Sequence, residues 1–232
     1  MNVDESDTAF PHHIPYEEIC FSSSRNYCVC FVDLVRSTQD VSQIYDTAKV
    51  RKYYSIFLNS MAAISRNFNA KIVKNVGDSL IFYFPESLDS TNKDTWKDIL
   101  DCLLTLVDAR PVINTKLYQE GLPSIDYRIS ADYGKVEVAK SMSSKDEDLF
   151  GTTMNMCSKI NSFAPINGIV LGGDLYQVLR YLHLDKEDNY HLTELGTYST
   201  GLKFPYPVYV LGGKKLSLVN PFLLFLLSPL TN

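Results

Sequence analysis

The sequence predicts an α+β fold in which helices pack on one sheet. Short apolar runs rich in β-branched and aromatic residues alternate with longer stretches whose apolar residues recur at helical spacing. Gly77-Asp78 separates two such short runs, which is a β-hairpin signature, and Tyr133-Gly134 is interpreted as the turn of a second hairpin. Two tight hairpins among helices favour a layer of helices on a sheet.

The first half of the chain supplies three clear elements. The run YCVCF at 27–31 is short, apolar and aromatic, which is typical of a buried strand. Apolar residues then recur at helical spacing through 38–68, as one long helix or two in succession. The segment KIVKNVGDSLIFYF at 71–84 contains two apolar strands around the Gly-Asp turn, and it predicts the first hairpin.

The second half continues the alternation of helices and strands. A helical pattern covers 90–119, and Pro111 is expected to kink or divide it. The apolar and aromatic stretch at 125–138 is interpreted as the second hairpin. The remaining expected elements, in chain order, are a helix at 150–162, a strand at 168–173, a helix at 174–182 and a closing strand at 206–211.

The length and the termini predict one domain with two short extensions. The chain has 232 residues, enough for one domain of ordinary size. We expect a loose, flexible N-terminal segment at 1–24, a catalytic domain at 25–212 and a hydrophobic tail at 213–232. The longest uninterrupted apolar run of the tail is FLLFLL, far below the roughly 20 residues of a spanning helix, so no membrane association is expected.

Charge and cysteine content narrow the class of protein further. The net charge of −5 gives no global positive field, so nucleic acid is not an expected partner. The five cysteines are odd in number and include no CxxC pair, which favours buried thiols in a reducing compartment. The acidic N-terminus lacks the pattern of a signal peptide, and a cytoplasmic protein is expected.

Two aspartates are candidate ligands for a divalent cation. Asp33 directly follows the first strand, and Asp78 lies at the tip of the hairpin, so neighbouring strands would bring them together. Mg²⁺ is usually bound by one or two carboxylates together with substrate phosphates. Ser37 and Thr38 begin the next helix, where free N–H groups can face phosphate oxygens. Taken singly, each aspartate is also compatible with a simple turn-forming role.

Five segments in order resemble one known family. They are FVDLVRST, KIVKNVGDSLIFYF, YRISADYGKVEVAK, DLFGTTMNMCSKINSFA and GLKFPYPVYVL. Their order and approximate spacing are similar to those of the class III nucleotidyl cyclase catalytic domain, over about residues 25–212. The resemblance implies a ferredoxin-like fold with a central, mostly antiparallel sheet.

The resemblance also implies a metal centre and an activity. Asp33 and Asp78 match the family's metal-binding aspartates, with the backbone carbonyl of Leu34 as a further ligand. Two Mg²⁺ or Mn²⁺ ions per site would be expected. The implied reaction is the cyclisation of ATP to 3′,5′-cyclic AMP with release of pyrophosphate.

Further positions match residues that contact the substrate. Lys74 and Asp148 match the two residues that recognise the purine base, and a lysine donor with an aspartate acceptor suits adenine. Asn155 matches the residue that orients the ribose, and Arg128 matches a phosphate-binding arginine. The family's active sites form in dimers, with metal ligands from one protomer and base contacts from the other. In isolation, Lys74 could be an ordinary exposed lysine, and Arg128 could pair with Asp126 or Asp132.

Two positions depart from the family pattern. Lys159 stands where the transition-state arginine is expected, four residues after Asn155, and it lacks the planar fork of a guanidinium. Thr200 replaces a triphosphate-binding lysine, and Lys203 is a candidate substitute. These departures leave open a catalytically weak or silent domain that binds nucleotide or a partner, and a cyclase for another nucleotide. Activation by a separate regulatory protein also stays open.

Overall fold

The computed structural model describes residues 19–141, 147–199 and 205–213. These ranges contain eight strands and six α-helices. The strands are β1 (Ile19–Val35), β2 (Lys71–Val76), β3 (Ser79–Phe84), β4 (Asp126–Ser141), β5 (Glu147–Phe150), β6 (Ile169–Gly172), β7 (Tyr190–Tyr198) and β8 (Tyr206–Gly213). The helices are α1 (Ser37–Ser42), α2 (Thr47–Asn67), α3 (Lys93–Asp108), α4 (Arg110–Gln119), α5 (Thr152–Ile160) and α6 (Gly173–Tyr181).

All eight strands belong to one sheet. Seven of them follow the order β2-β3-β1-β4-β6-β8-β7, and β5 pairs with the far end of β4. The β4–β6 pair is parallel and the other pairs are antiparallel, which confirms the predicted mostly antiparallel sheet with helices packed on it. The long central strands β1 and β4 therefore set the frame on which both ends of the sheet are built.

Each face of the sheet buries a different set of side chains. Along β1, Cys28, Cys30, Val32 and Leu34 belong to the large core, which also contains residues of α2, α3, α4 and α6. Val29 points to the opposite face and packs in a smaller cluster that contains residues of α5. This alternation follows from the two-residue period of a strand. It places the odd-numbered positions of this part of β1, Asp33 included, on the α5 face.

The predicted second hairpin at Tyr133-Gly134 is wrong. Residues Asp126–Ser141 form one continuous strand that pairs with β1 almost throughout. A Cβ at Gly134 would lie 2.7 Å from Oγ1 of Thr153, so this glycine lets α5 approach the strand closely. The actual hairpin partner of β4 is β5, and residues 142–146 between the two lie outside the described ranges.

Other boundaries also differ from the expectations. Residues 19–24, predicted to be part of a loose segment, form the start of β1 and pair with the end of β4. The two helical patterns each divide into two helices, and Pro111 lies in the first turn of α4, where a missing N–H is tolerated. Strand β7 was not predicted at all.

The expected roles of the C-terminal tail and of Thr200 and Lys203 fall on residues outside the described ranges. None of the helices in those ranges combines the length and apolar character that a membrane crossing requires.

Candidate active site

Asp33 and Asp78, here called the carboxylate pair, are held by two adjacent strands. Asp33 lies near the end of β1, directly opposite Ser79 of β3, and its Oδ1 accepts a hydrogen bond from the Ser79 hydroxyl. Asp78 lies in the β2–β3 turn, which Gly77 closes with a φ of 62°. Oδ2 of Asp78 accepts a hydrogen bond from the hydroxyl of Ser37. The hairpin and the first strand thus bring the two carboxylates together, as the sequence predicted.

The electrostatics of the carboxylate pair suit a cation. Burial raises the pKa of Asp33 above its ordinary value, and the negative charge of Asp78 adds to the rise. The Ser79 hydrogen bond and the charge of Arg128 oppose this shift of the Asp33 pKa. Within the described residues no group of three or more His, Cys, Asp or Glu side chains could hold a metal ion. Two hard oxygen donors completed by substrate phosphates are the usual arrangement for Mg²⁺, so the pair fits such an ion.

Arg128 belongs to the same group. It lies on β4 directly opposite Asp33, on the α5 face of the sheet. Its Nε is buried and has no hydrogen-bond partner within the described part of the chain. The alternative pairing with Asp126 or Asp132 is not found, because Asp126 pairs with Arg36 and Arg110, and Asp132 accepts from Tyr206. A buried donor without a partner favours an anionic ligand at this position.

The residues between β1 and α1 were predicted to bind substrate. Ser37 is buried and begins α1, as expected, but its hydroxyl contacts Asp78. Thr38 is exposed on the first turn. Leu34 pairs with Tyr127 in the sheet and its side chain is buried, so only its backbone is available as a ligand. Helix α1 has six residues, which is shorter than the sequence pattern indicated.

Lys74 and Asp148, here called the recognition pair, contact each other directly. Nζ of Lys74 lies 2.6 Å from Oδ2 of Asp148, and the ion pair links the edge strand β2 to β5. The Phe150 ring lies under the same ammonium group, with 5.8 Å between Nζ and the ring centroid. A cavity of about 640 Å³ opens beside Lys74 and is also lined by Lys71, Tyr83 and Glu147. Both members of the pair are partly exposed and can exchange their mutual contact for a ligand.

Asn155 and Lys159 form a third group on helix α5. They are four residues apart, so they lie on the same side of the helix, and both are exposed. Nζ of Lys159 lies 6.0 Å from the centroid of the Tyr198 ring, at the end of β7. Within the described residues, no hydrogen bond or ion pair joins this group to the carboxylate pair or the recognition pair.

Sequence reasoning missed three residues that support the candidate site. Ser79 contacts Asp33, Phe150 lies under Lys74, and Tyr198 lies under Lys159. The sequence carries a signal for Ser79, because it follows the Gly-Asp turn and must face a neighbouring strand. Tyr198 was missed together with β7, although the apolar positions Tyr190 and Leu192 alternate with polar ones there. No sequence pattern predicts the contact of Phe150 with Lys74, because this contact depends on how β5 packs beside β2.

Comparison with known proteins identifies the family of the chain. Residues 20–212 match the family model described as the adenylate and guanylate cyclase catalytic domain. The match covers most of the chain, and the chain therefore belongs to this family. The first matched residue, Cys20, lies in the part of β1 that the sequence pattern had not predicted.

Solved cyclase structures share the fold at low sequence identity. The guanylyl cyclase Cya2 matches with a TM-score of 0.72 and 18% identity, over 87% of this chain and 98% of its own. The adenylyl cyclase CyaB from P. aeruginosa gives 0.68 and 17%, over 84% and 98%. A dimeric guanylyl cyclase domain of the RhoGC fusion protein from the aquatic fungus Blastocladiella emersonii gives 0.67 and 16%, over 83% and 99%. A search of curated proteins finds no significant match to the sequence.

Proposed function

We propose that the protein is an adenylate cyclase that converts ATP to 3′,5′-cyclic AMP and pyrophosphate at the interface of a homodimer. The observation that carries this proposal is the juxtaposition of Asp33 and Asp78 beside Arg128, at the end of β1, in a chain of the cyclase family. Two carboxylates, of which Asp78 raises the pKa of Asp33, with the buried Nε of Arg128 next to them, suit a metal-bound polyphosphate.

The carboxylate pair would hold two Mg²⁺ or Mn²⁺ ions, together with the backbone carbonyl of Leu34. When bound, such ions supply Lewis-acid activation of the ribose 3′-hydroxyl and neutralise phosphate charge. The protein's own contribution is to fix the two carboxylates through the hydroxyls of Ser79 and Ser37. The 3′-hydroxyl releases its proton to solvent and its oxygen attacks the α-phosphorus, the bond to the pyrophosphate oxygen breaks, and pyrophosphate leaves with that electron pair.

The substrate contacts follow from the recognition pair, from Asn155 and Lys159 on α5, and from Arg128. Lys74 donates to a ring nitrogen of adenine and Asp148 accepts from the exocyclic amino group. Asn155 orients the ribose, and Arg128 and Lys159 offset the charge that develops on the phosphates. Within the described residues, no hydrogen bond or ion pair joins the carboxylate pair, the recognition pair and the Asn155–Lys159 group to one another. A homodimer that supplies the carboxylate pair from one protomer and the recognition pair from its partner would complete the site.

Product analysis tests the proposal. Purified protein is incubated with Mn²⁺ and each of the four nucleoside triphosphates, and the products are resolved by mass. Cyclic AMP from ATP alone, absent in Asp33→Asn, is the expected result. A different cyclic nucleotide would keep the metal site and overturn the base assignment, and full cyclisation by Asp33→Asn would overturn the metal assignment.

A second candidate is a nucleotide-binding domain with weak or no catalysis. It is favoured by Lys159, an exposed ammonium group where the family has an arginine fork. Tight ATP binding without turnover at high Mn²⁺ would support this candidate. A third candidate retains catalysis but takes another nucleotide, since both adenylyl and guanylyl cyclases share the fold. We place the protein in the cytoplasm and expect activation through dimerisation or a separate regulatory protein.

A further inference from the structure

An exposed aromatic residue lies at the beginning of β1. The Phe21 side chain is 63% exposed, in a stretch that the sequence pattern had assigned to a loose terminal segment. Single exposed apolar residues are common on protein surfaces and need no explanation by themselves. The pairing of this stretch with β4 and the neighbours of Phe21 distinguish it from such cases.

The strand register places Phe21 in one row with Asp148. Ala139 of β4 has Phe21 opposite it on β1 and Asp148 opposite it on β5. Residues directly opposite each other project to the same face of a sheet. Phe21 and Asp148 therefore flank the small side chain of Ala139, about 10 Å apart, which is two strand spacings. Phe150 is two residues from Asp148 on β5 and shares this face.

A chain of contacts then runs from Phe21 to the recognition pair. The Phe21 and Phe150 rings meet edge to face, with 5.6 Å between centroids. Phe150 lies 5.8 Å from Nζ of Lys74, and Lys74 pairs with Asp148 at 2.6 Å. The two aromatic rings and the two charged groups thus form one continuous surface at the outer end of the sheet.

This surface has the chemistry that a purine base needs. Lys74 and Asp148 offer a donor and an acceptor to the edge of the base, but they leave its flat apolar faces without a partner. The cavity beside Lys74 is lined mainly by polar and charged residues, among them Arg66, Lys71, Lys140 and Glu147. Aromatic rings stack on bases of any identity, and loss of one such contact by alanine substitution weakens binding by roughly 5- to 150-fold.

We propose that Phe21 and Phe150 form an aromatic wall against which the purine ring of a nucleoside triphosphate packs, with Phe21 supplied by the extended start of β1. The proposal rests on the proposed role of Lys74 and Asp148 as base contacts. It assigns binding strength to the aromatic wall and the choice of base to the recognition pair.

Equilibrium binding of substrates that cannot cyclise tests the wall directly. Calorimetry with 3′-deoxy-ATP and 3′-deoxy-GTP in Mn²⁺ compares the native protein with Phe21→Ala, and with Tyr118→Ala as a matched control. Tyr118 is also highly exposed, 83%, but lies on α4. Phe21→Ala is expected to weaken both nucleotides by roughly tenfold. Tyr118→Ala is expected to change neither, and inorganic tripolyphosphate, which has no base, is expected to bind all three proteins equally.

A second variant reports the contact without a loss of affinity. The sequence has a single tryptophan, Trp96, which is fully buried, so Phe21→Trp adds one exposed indole on a nearly silent background. Stacking on the base is expected to quench its fluorescence with 3′-deoxy-ATP and not with tripolyphosphate. Equal quenching by both ligands would contradict a base contact.

Three outcomes would overturn the wall: unchanged affinity in Phe21→Ala, an equal loss for tripolyphosphate, or conversion of the variant to a monomer in sedimentation. The last would make Phe21 a dimer contact.

The proposed reaction is judged separately. If the native protein forms no cyclic nucleotide but Phe21→Ala still weakens 3′-deoxy-ATP binding, the reaction fails and the wall stands. If the native protein is an active cyclase but Phe21→Ala has native KM and affinity, the wall fails and the reaction stands.

Discussion

The carboxylate pair and the recognition pair occupy different environments in the same sheet. Asp33 is half-buried on the central strand β1, between β3 and β4, and burial raises its pKa. Lys74 lies on the edge strand β2, and the side chains of Lys74 and Asp148 are 42% and 29% exposed. An exposed ion pair of this kind contributes only about 0–1 kcal/mol to stability. The carboxylate pair, which is the central half of the site, is therefore held in place without a ligand. The recognition pair, which is the edge half, can replace its ion pair with hydrogen bonds to a base.

This difference predicts that changes in the central half reduce rate and that changes in the edge half redirect specificity. Asp33→Asn is expected to lower kcat by about 10²–10³ or more, because the variant loses the carboxylate that we propose as a metal ligand, and its electrostatic stabilisation. The variant is also expected to unfold at the same temperature or higher, because it removes a half-buried charge beside Asp78.

Initial rates with Mn²⁺ and thermal melts measure both effects. The matched control is Asp94→Asn, an exposed aspartate in the first turn of α3. Native activity in Asp33→Asn, or a large fall in melting temperature, would remove the distinction between a chemical and a structural role for this carboxylate.

The double variant Lys74→Glu, Asp148→Cys tests the edge half. Guanine presents donors at N1 and at its exocyclic amino group and an acceptor at O6, which suit a glutamate acceptor and a thiol donor, so the ratio of kcat/KM for GTP over ATP is expected to rise. Each charged hydrogen bond is worth about 1.5–3 kcal/mol, which corresponds to a shift of roughly 10- to 100-fold. The Mn²⁺ concentration for half-maximal rate is expected to stay native. Equal loss with both nucleotides, or no gain with GTP, would contradict the assignment of base recognition to this pair.

Lys159→Arg tests the third group, on α5. An arginine restores the planar fork that contacts phosphate oxygens in two places and still stacks on the Tyr198 ring. We expect kcat to rise by about tenfold with little change in KM, since the added contact forms mainly in the transition state. Lys186→Arg, at an exposed position far along the chain, serves as the control. A fall in kcat would contradict this prediction and would show that the site requires a lysine at this position.

The sequence predicted the central half of the site better than the edge half. Asp33 directly follows an apolar strand and Asp78 lies in a Gly-Asp turn. These local patterns were sufficient to predict that the two carboxylates lie close together. The Lys74–Asp148 contact depends on β5 folding back onto the edge strand, which no local pattern encodes, and it was available only through family resemblance. The expected order of elements was also largely correct, because it depends on local apolar periodicity.

The errors in the fold have a common physical origin in long-range packing. Tyr133-Gly134 has the composition of a turn, but the glycine is there because Thr153 of α5 approaches the strand. Residues 19–24 contain three serines and look irregular, but pairing with β4 makes them a strand and places Phe21 beside Phe150. Neither effect is visible within the short windows on which sequence patterns depend.

A third carboxylate on the α5 face sharpens the comparison, because it is more buried than Asp33 and is hydrogen-bonded to a tyrosine of a neighbouring element. Asp132 is 1% exposed, and the Tyr206 hydroxyl, which lies 2.9 Å from each of its oxygens, donates a hydrogen bond to the carboxylate. Burial raises the pKa of Asp132 to about 7, despite the opposing hydrogen bonds from Tyr206 and from the backbone of Tyr133. Its role is to tie β8 to β4.

The raised pKa of Asp132 predicts a pH dependence of stability with a definite sign. Since the folded state holds this proton up to about pH 7 and the unfolded chain releases it near pH 4, folding binds the extra proton between these values. The contribution of Asp132 to the free energy of unfolding therefore falls as pH rises through that window, by up to about 1.4 kcal/mol per pH unit. Asp132→Asn keeps the shape and removes the ionisation.

Urea unfolding of the native protein and of Asp132→Asn from pH 4.5 to 8 measures this contribution as a difference between two curves. The curves are expected to lie close together near pH 5 and to separate towards pH 8, where the native protein loses stability relative to the variant. Parallel curves would mean that Asp132 ionises at its ordinary pKa in the folded state, and would contradict the effect of burial on this carboxylate. Because the pKa of Asp33 is also raised, the same comparison with Asp33→Asn measures the separate contribution of the carboxylate that we propose as a cation ligand.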